Sequence, residues 1–115
     1  MPLPVFVKAL AEKKIAEFCK NRVPPEVHHQ LQLSYTIRGN NITLFEDRAP
    51  WREGLTEWTH VPVAQLRYDD HKAVWKLYCK VRNEKWWSYE PLAPTKDIDQ
   101  ALRAIDSDPT GIFWG

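Results

Sequence analysis

The sequence predicts an α+β domain in which an antiparallel sheet is flanked by an N-terminal and a C-terminal helix. Three observations lead there. Residues 5–22 place apolar side chains at helical spacing, residues 31–89 switch to period-two alternation interrupted by turn residues, and residues 97–108 return to helical spacing ahead of Asp108-Pro109 and Gly111.

In the first segment Val7, Leu10, Ala11, Ile15, Phe18 and Cys19 form the apolar stripe, and Lys8, Glu12, Lys13, Glu17 and Lys20 take the other side. Lys14 falls within the stripe, where its stem can lie along the interface while its ammonium reaches water. Val23-Pro24-Pro25 stops the helix, because a residue before proline is driven out of the α region. His28-His29 follows this connection and is expected to meet water.

Leu31, Leu33, Tyr35 and Ile37 alternate with Gln32, Ser34, Thr36 and Arg38, as in a half-buried strand. Gly39-Asn40-Asn41 tolerates positive φ and turns the chain into a second strand over residues 42–46. Residues 47–60, with Pro50, Trp51, Gly54 and Trp58, have no clean period and read as a long loop. Residues 61–68 and 73–82 are rich in β-branched and aromatic side chains and read as paired strands around a polar turn. Asn83-Glu84 turns into a short fifth strand over residues 85–89, giving a five-stranded meander. Asp97 and Gln100 form a capping pair for the last helix, whose apolar face is Ile98, Ala101, Leu102 and Ile105. The terminal Ile112-Phe113-Trp114 is apolar enough to pack back onto the domain.

A chain of 115 residues that is 43% hydrophobic and 27% charged fits one domain with one core: helix and connection over 1–29, sheet over 30–90, helix and tail over 91–115. Six Trp and nine Pro point to large flat core side chains and stiffened connections. Two cysteines, Cys19 and Cys79, make no disulfide framework and read as reduced, buried thiols. With neither a basic, apolar leader nor a stretch of membrane-spanning length, the cytoplasm is the expected location and no membrane partner is expected. The net charge of +1 excludes binding to nucleic acid by bulk charge alone, yet the distribution is uneven. Residues 61–89 are basic and residues 90–115 acidic.

Several segments also resemble a known family. They are Phe45-Glu46-Asp47-Arg48 with Pro50-Trp51, Val63-Ala64-Gln65-Leu66-Arg67-Tyr68, Trp75-x-Leu77-Tyr78, and Lys85-Trp86 with Tyr89. To these is added the ending Ile105-Asp106-x-Asp108-Pro109-x-Gly111-x-Phe113-Trp114-Gly115. Together they resemble a bacterial domain family of unknown function, number three thousand and twenty-four of that kind, over residues 31–115. The chain departs from the pattern at Cys79, Trp87 and Ile112, where the family is associated with an aromatic residue, a histidine and a cysteine. The resemblance implies a domain of this kind and brings no activity with it.

The function must therefore come from the residues. Alternation over 73–82 puts Ala73, Trp75, Leu77, Cys79 and Val81 on one side and Lys76, Tyr78, Lys80 and Arg82 on the other. If Gln65, Arg67 and Arg38 share the second side, cations that neutralise phosphates lie beside a ring on which a base could stack. This gives a non-catalytic module with nucleic acid as partner and Arg38, Arg67, Lys76, Tyr78, Lys80 and Arg82 as its binding residues. A second reading is protein interaction through Arg48, Trp51 and Trp58, since Trp and Arg dominate binding hot spots. A third is a metal-dependent phosphodiesterase using Glu46, Asp47, Asp70 and Lys72, where Asp70-His71-Lys72 has an acid-x-lysine spacing used by nucleases. His28, His29, His60 and His71 and the cysteines lack zinc-site spacing. Four glycines leave little material for a phosphate loop, so neither a metal nor a cofactor is expected. Asp106-x-Asp108-Pro109-x-Gly111 reads as a helix stop, not a calcium loop.

Overall fold

The computed structural model describes residues 3–50, 54, 56–81 and 85–114. Helix α1 spans Val5–Arg22 and a short 3-10 turn Pro25–Val27. The strands are β1 Leu31–Arg38, β2 Asn41–Arg48, β3 Thr59–Asp69, β4 Val74–Lys80 and β5 Trp86–Ser88, and helix α2 spans Ile98–Ser107. The strands form one sheet in the order β1-β2-β3-β4-β5, antiparallel throughout, so the α+β meander read from the alternation is the architecture.

α1 begins directly behind Pro4, whose fixed φ suits the entry to a helix. Val23 leaves the helix in an extended conformation, as its position before Pro24 requires. Ala11 and Ile15 are fully buried, and Val7, Phe18 and Cys19 pack at the edge of the core. Leu10 departs from the predicted stripe: it is 54% exposed, and Val5 and Phe6 are more so. The helix leans on β1 and α2, so only the narrow band between those neighbours is covered. Lys14 pairs with Asp99 of α2 at 3.1 Å. His28 is half-buried, with Nε2 2.9 Å from the Val23 carbonyl, and only His29 meets water as expected.

β1 and β2 join through Gly39-Asn40, where Gly39 alone takes positive φ (58°), the pattern of a type II′ hairpin turn. Asn40 ties the turn to the end of β3: its side chain donates to the Tyr68 carbonyl and its own carbonyl accepts from the Tyr68 N–H. The expected long loop is shorter than its composition suggested. β2 continues to Arg48 and β3 starts at Thr59, with Asp47 opposite His60. Asp47 is buried, and His60 Nδ1 lies 2.6 Å from its carboxylate. A satisfied polar pair thus replaces the apolar alternation that would have marked these positions as strand.

At the β3–β4 turn Asp69 accepts the N–H groups of His71 and Lys72, and Ala73 takes a positive φ of 54°. Ala73 therefore belongs to the turn, and the apolar side of β4 begins at Trp75. β5 covers only Tyr78 to Lys80 of β4; farther back Thr95 pairs with Trp75 through two backbone hydrogen bonds. Thr95 also fixes the start of α2, because its hydroxyl accepts the Asp97 N–H and donates to Gln100 Oε1. The expected capping pair is corrected here: Asp97 caps the Asp99 N–H, and Gln100 is held by Thr95.

Ile42 and Leu44 of β2, Ala64, Leu66 and Tyr68 of β3, and Trp75, Leu77 and Cys79 of β4 form one buried layer. Ile15, Ala101, Leu102 and Ile105 of the helices pack onto it. Tyr68 contacts Trp75 and Tyr89 contacts Phe113, with ring centroids 4.9 and 5.0 Å apart. α2 ends at Asp108 in the left-handed conformation, φ 43°. Its carboxylate accepts the N–H groups of Phe113 and Trp114 at 3.1 and 2.9 Å, while the Trp114 indole N–H donates to the Ile105 carbonyl. The tail is thereby closed onto the core, as its apolar character predicts.

Asp108→Ala removes both carboxylate bonds and places a β-carbon residue in the left-handed region without local polar support. Equilibrium urea unfolding is expected to show a loss of about 1–3 kcal/mol. An unchanged midpoint would mean that burial of Phe113 and the Trp114–Ile105 bond hold the tail without Asp108.

Candidate functional site

Both helices pack against one face of the sheet, which leaves the other face uncovered among the described residues. The register decides what stands there. Leu66 opposes Leu77 and Tyr68 opposes Trp75 on the covered side, so Gln65 opposite Tyr78 and Arg67 opposite Lys76 point the other way. Asn41, paired with both Arg38 and Arg67, continues the uncovered face toward β1. Trp86, paired with Lys80, continues it toward β5. Arg38, Arg67, Lys76, Tyr78 and Lys80 thus lie on one surface; Arg82 lies outside the described residues.

A connected set of polar contacts runs across the middle of this surface. Gln65 Nε2 donates to Thr43 Oγ1 at 3.0 Å, and Arg67 Nε donates to Gln65 Oε1 at 2.6 Å. The Arg67 guanidinium lies over the Tyr78 ring, 3.9 Å from its centroid. The Tyr78 ring expected to receive a base is therefore already capped by Arg67. One strand away, the Lys80 ammonium lies over Trp86, 5.3 Å from the ring centroid. Trp86 is read from the sequence as a strand residue and not as part of the site; its antiparallel pairing with Lys80 brings it there.

Arg67 and Lys76 are directly opposed cations, an arrangement that weakens a sheet. Lys76 Nζ lies 3.8 Å from the Asp69 carboxylate. The Lys72 backbone N–H, followed by that of His71 and the charges of Lys76 and Lys72, holds the Asp69 carboxyl below its usual value, so it stays ionised. Arg38, Arg67 and Lys80 meet no carboxylate among the described residues. A polar groove of about 450 Å³ opens between Asn40, Asn41, Arg67, Lys76 and Tyr78, with Asp69, Asp70 and His71 also lining it.

The carboxylates proposed for phosphodiester chemistry are not brought together. Glu46 and Asp47 sit where β2 meets the start of β3, whereas Asp70 and Lys72 lie past its other end, about 30 Å away at the ordinary rise of a strand. Glu46 is paired with Arg48 and Asp47 with His60. No group of three His, Cys, Asp or Glu among the described residues could hold a metal ion. Of the aromatic loop, Trp58 is half-buried and Trp51 lies outside the described residues, while Arg48 is exposed but paired with Glu46. Cys79 is buried as predicted, and Cys19 is only half-buried. Burial, with the Asp47 carboxylate adding to it, pushes the Cys19 thiol up to about 11, and burial raises Cys79 as well, which disfavours thiolate chemistry at neutral pH.

The fold and this surface define a small α+β domain whose sheet is covered on one side and lined with cations and aromatics on the other. Residues 3–115 match the model of the family described as Domain of unknown function (DUF3024), and the chain belongs to that family. Comparison with curated proteins and with solved structures gives no significant match. No helix among the described residues is long and apolar enough to cross a membrane.

Because Arg67 and Lys76 repel each other across the ladder, Lys76→Thr is expected to stabilise the isolated domain by about 0.2–1 kcal/mol in thermal or urea unfolding. A clear loss of stability would show that the Lys76–Asp69 pair outweighs the repulsion.

Proposed function

We propose that this chain is a non-catalytic module that binds nucleic acid through the uncovered sheet face. The observation that carries the reading is the placement of Arg38, Arg67, Lys76 and Lys80 together with Tyr78 on one surface, with opposed cations at its centre. Evolution commonly tolerates a local loss of stability where a ligand needs the destabilising groups. A phosphate between Arg67 and Lys76 would relieve their repulsion and use donors that the fold leaves unmatched. The net charge of +1 is no obstacle, since residues 61–89, which supply most of the face, are basic, whereas the acidic segment 90–115 includes α2, which packs on the other side of the sheet.

A labelled oligonucleotide titrated by fluorescence anisotropy tests this. If the four cations each neutralise one phosphate, the logarithm of the binding constant for a single strand falls against the logarithm of salt with a slope of about −3. Lys80→Ala is expected to flatten that slope by about 0.7 while leaving the fold intact. Absence of salt-sensitive binding at high micromolar protein would end the proposal.

A further inference from the structure

We infer that the nucleic acid is single-stranded, and that two neighbouring bases stack separately, one on the outer plane of the Arg67 guanidinium and one on Trp86. This rests on the reading of the uncovered face as a nucleic-acid site and adds to it the form of the ligand and the residues that select it. The first argument is size. The stacking groups come from β3 and β5 of a five-stranded sheet, Arg67 reaching over Tyr78 of β4; strands lie about 4.8 Å apart, so β2 to β5 span roughly 15 Å. A major groove about 12 Å wide admits a helix or a two-stranded ribbon, not the middle of such a surface. Base faces can therefore reach it only from an unpaired strand.

The second argument is spacing. Tyr78 and Trp86 occupy a diagonal of the β4–β5 ladder, because Tyr78 opposes Ser88 and Lys80 opposes Trp86. Diagonal neighbours are about 7–8 Å apart. Successive bases in a stacked strand are about 3.4 Å apart, so two adjacent bases can use both platforms only by giving up their mutual stacking.

The third argument is preorganisation. Thr43, Gln65 and Tyr78 hold the Arg67 guanidinium over a ring before any ligand arrives, which turns a flexible cation into a positioned one with a planar group to offer. Lys80 lies over Trp86 on a flexible stem, and moving its ammonium onto a phosphate frees the indole for a base. Trp86 acts here through its flat surface, Lys76 and Lys80 through charge, and Arg67 through both, its plane toward a base and its edge toward phosphate.

Three labelled probes of about 15 units separate the possibilities: a single-stranded oligothymidylate, an abasic strand with the same phosphates, and a duplex. The oligothymidylate is expected to bind about 25-fold tighter or more than either of the others, since two platforms each contribute about fivefold or more. Trp86→Leu and Arg67→Lys are each expected to remove about fivefold to tenfold of its affinity, while abasic-strand binding changes by less than about twofold. Trp86→Phe, which keeps a ring, restores part of the loss and serves if Trp86→Leu fails to fold. Lys80→Ala weakens the oligothymidylate and the abasic strand alike. Equal binding of the oligothymidylate and the abasic strand, or unchanged affinity in both Arg67→Lys and the Trp86 variants, overturns the stacking inference and leaves phosphate binding standing. If none of the three probes binds in a salt-sensitive way, the function itself is wrong.

Discussion

Everything in this domain depends on the register between β3 and β4. Pairing Leu66 with Leu77 and Tyr68 with Trp75 sends the large apolar side chains to one face, and the same pairing forces Arg67 and Lys76 together on the other. A slip of one residue would exchange the faces and expose the core, at a cost of several buried side chains worth about 1.5–3 kcal/mol each. The cationic surface is thus the unavoidable reverse side of the hydrophobic layer. Its charge is inexpensive only because that face stays in water.

Two small polar anchors make the one-sided cover stable. Thr95 pairs with Trp75 and holds both Asp97 and Gln100, so the chain leaving the sheet edge arrives at α2 in a fixed orientation. Asp108 closes the other end of α2 and draws Phe113 into the core beside Tyr89. Arg22, at the end of α1, reaches both Asp106 and the Trp114 ring, linking the two helices and the tail. With the helices locked on that side, neither of them covers the opposite face.

Much of the fold was legible because its strongest signals are local. The limits of α1, the order of the five strands and the helix stop at Asp108 follow from periodicity, proline and turn chemistry, which act over a few residues. What was hidden depends on partners distant in sequence. Asp47 looks like a loop residue until His60 is placed opposite it. Leu10 looks like core until the narrow contact of α1 leaves it in solvent. The basic face was legible through alternation, but the place of Trp86 depends on the β4–β5 register, and the capping of Tyr78 by Arg67 depends on side-chain packing between β3 and β4. Conversely, the carboxylates grouped from sequence are separated by the length of β3, a distance that residue types alone do not reveal.

The most direct measurement is a backbone and side-chain NMR titration of the isotope-labelled domain with a short single-stranded oligonucleotide, reading which residues shift. Perturbation confined to Arg38, Thr43, Gln65, Arg67, Lys76, Tyr78, Lys80 and Trp86, with α1 and α2 unmoved, is the expected result. Shifts centred on the exposed Val5, Phe6 and Leu10 of α1 or on α2, with the sheet face silent, would contradict it.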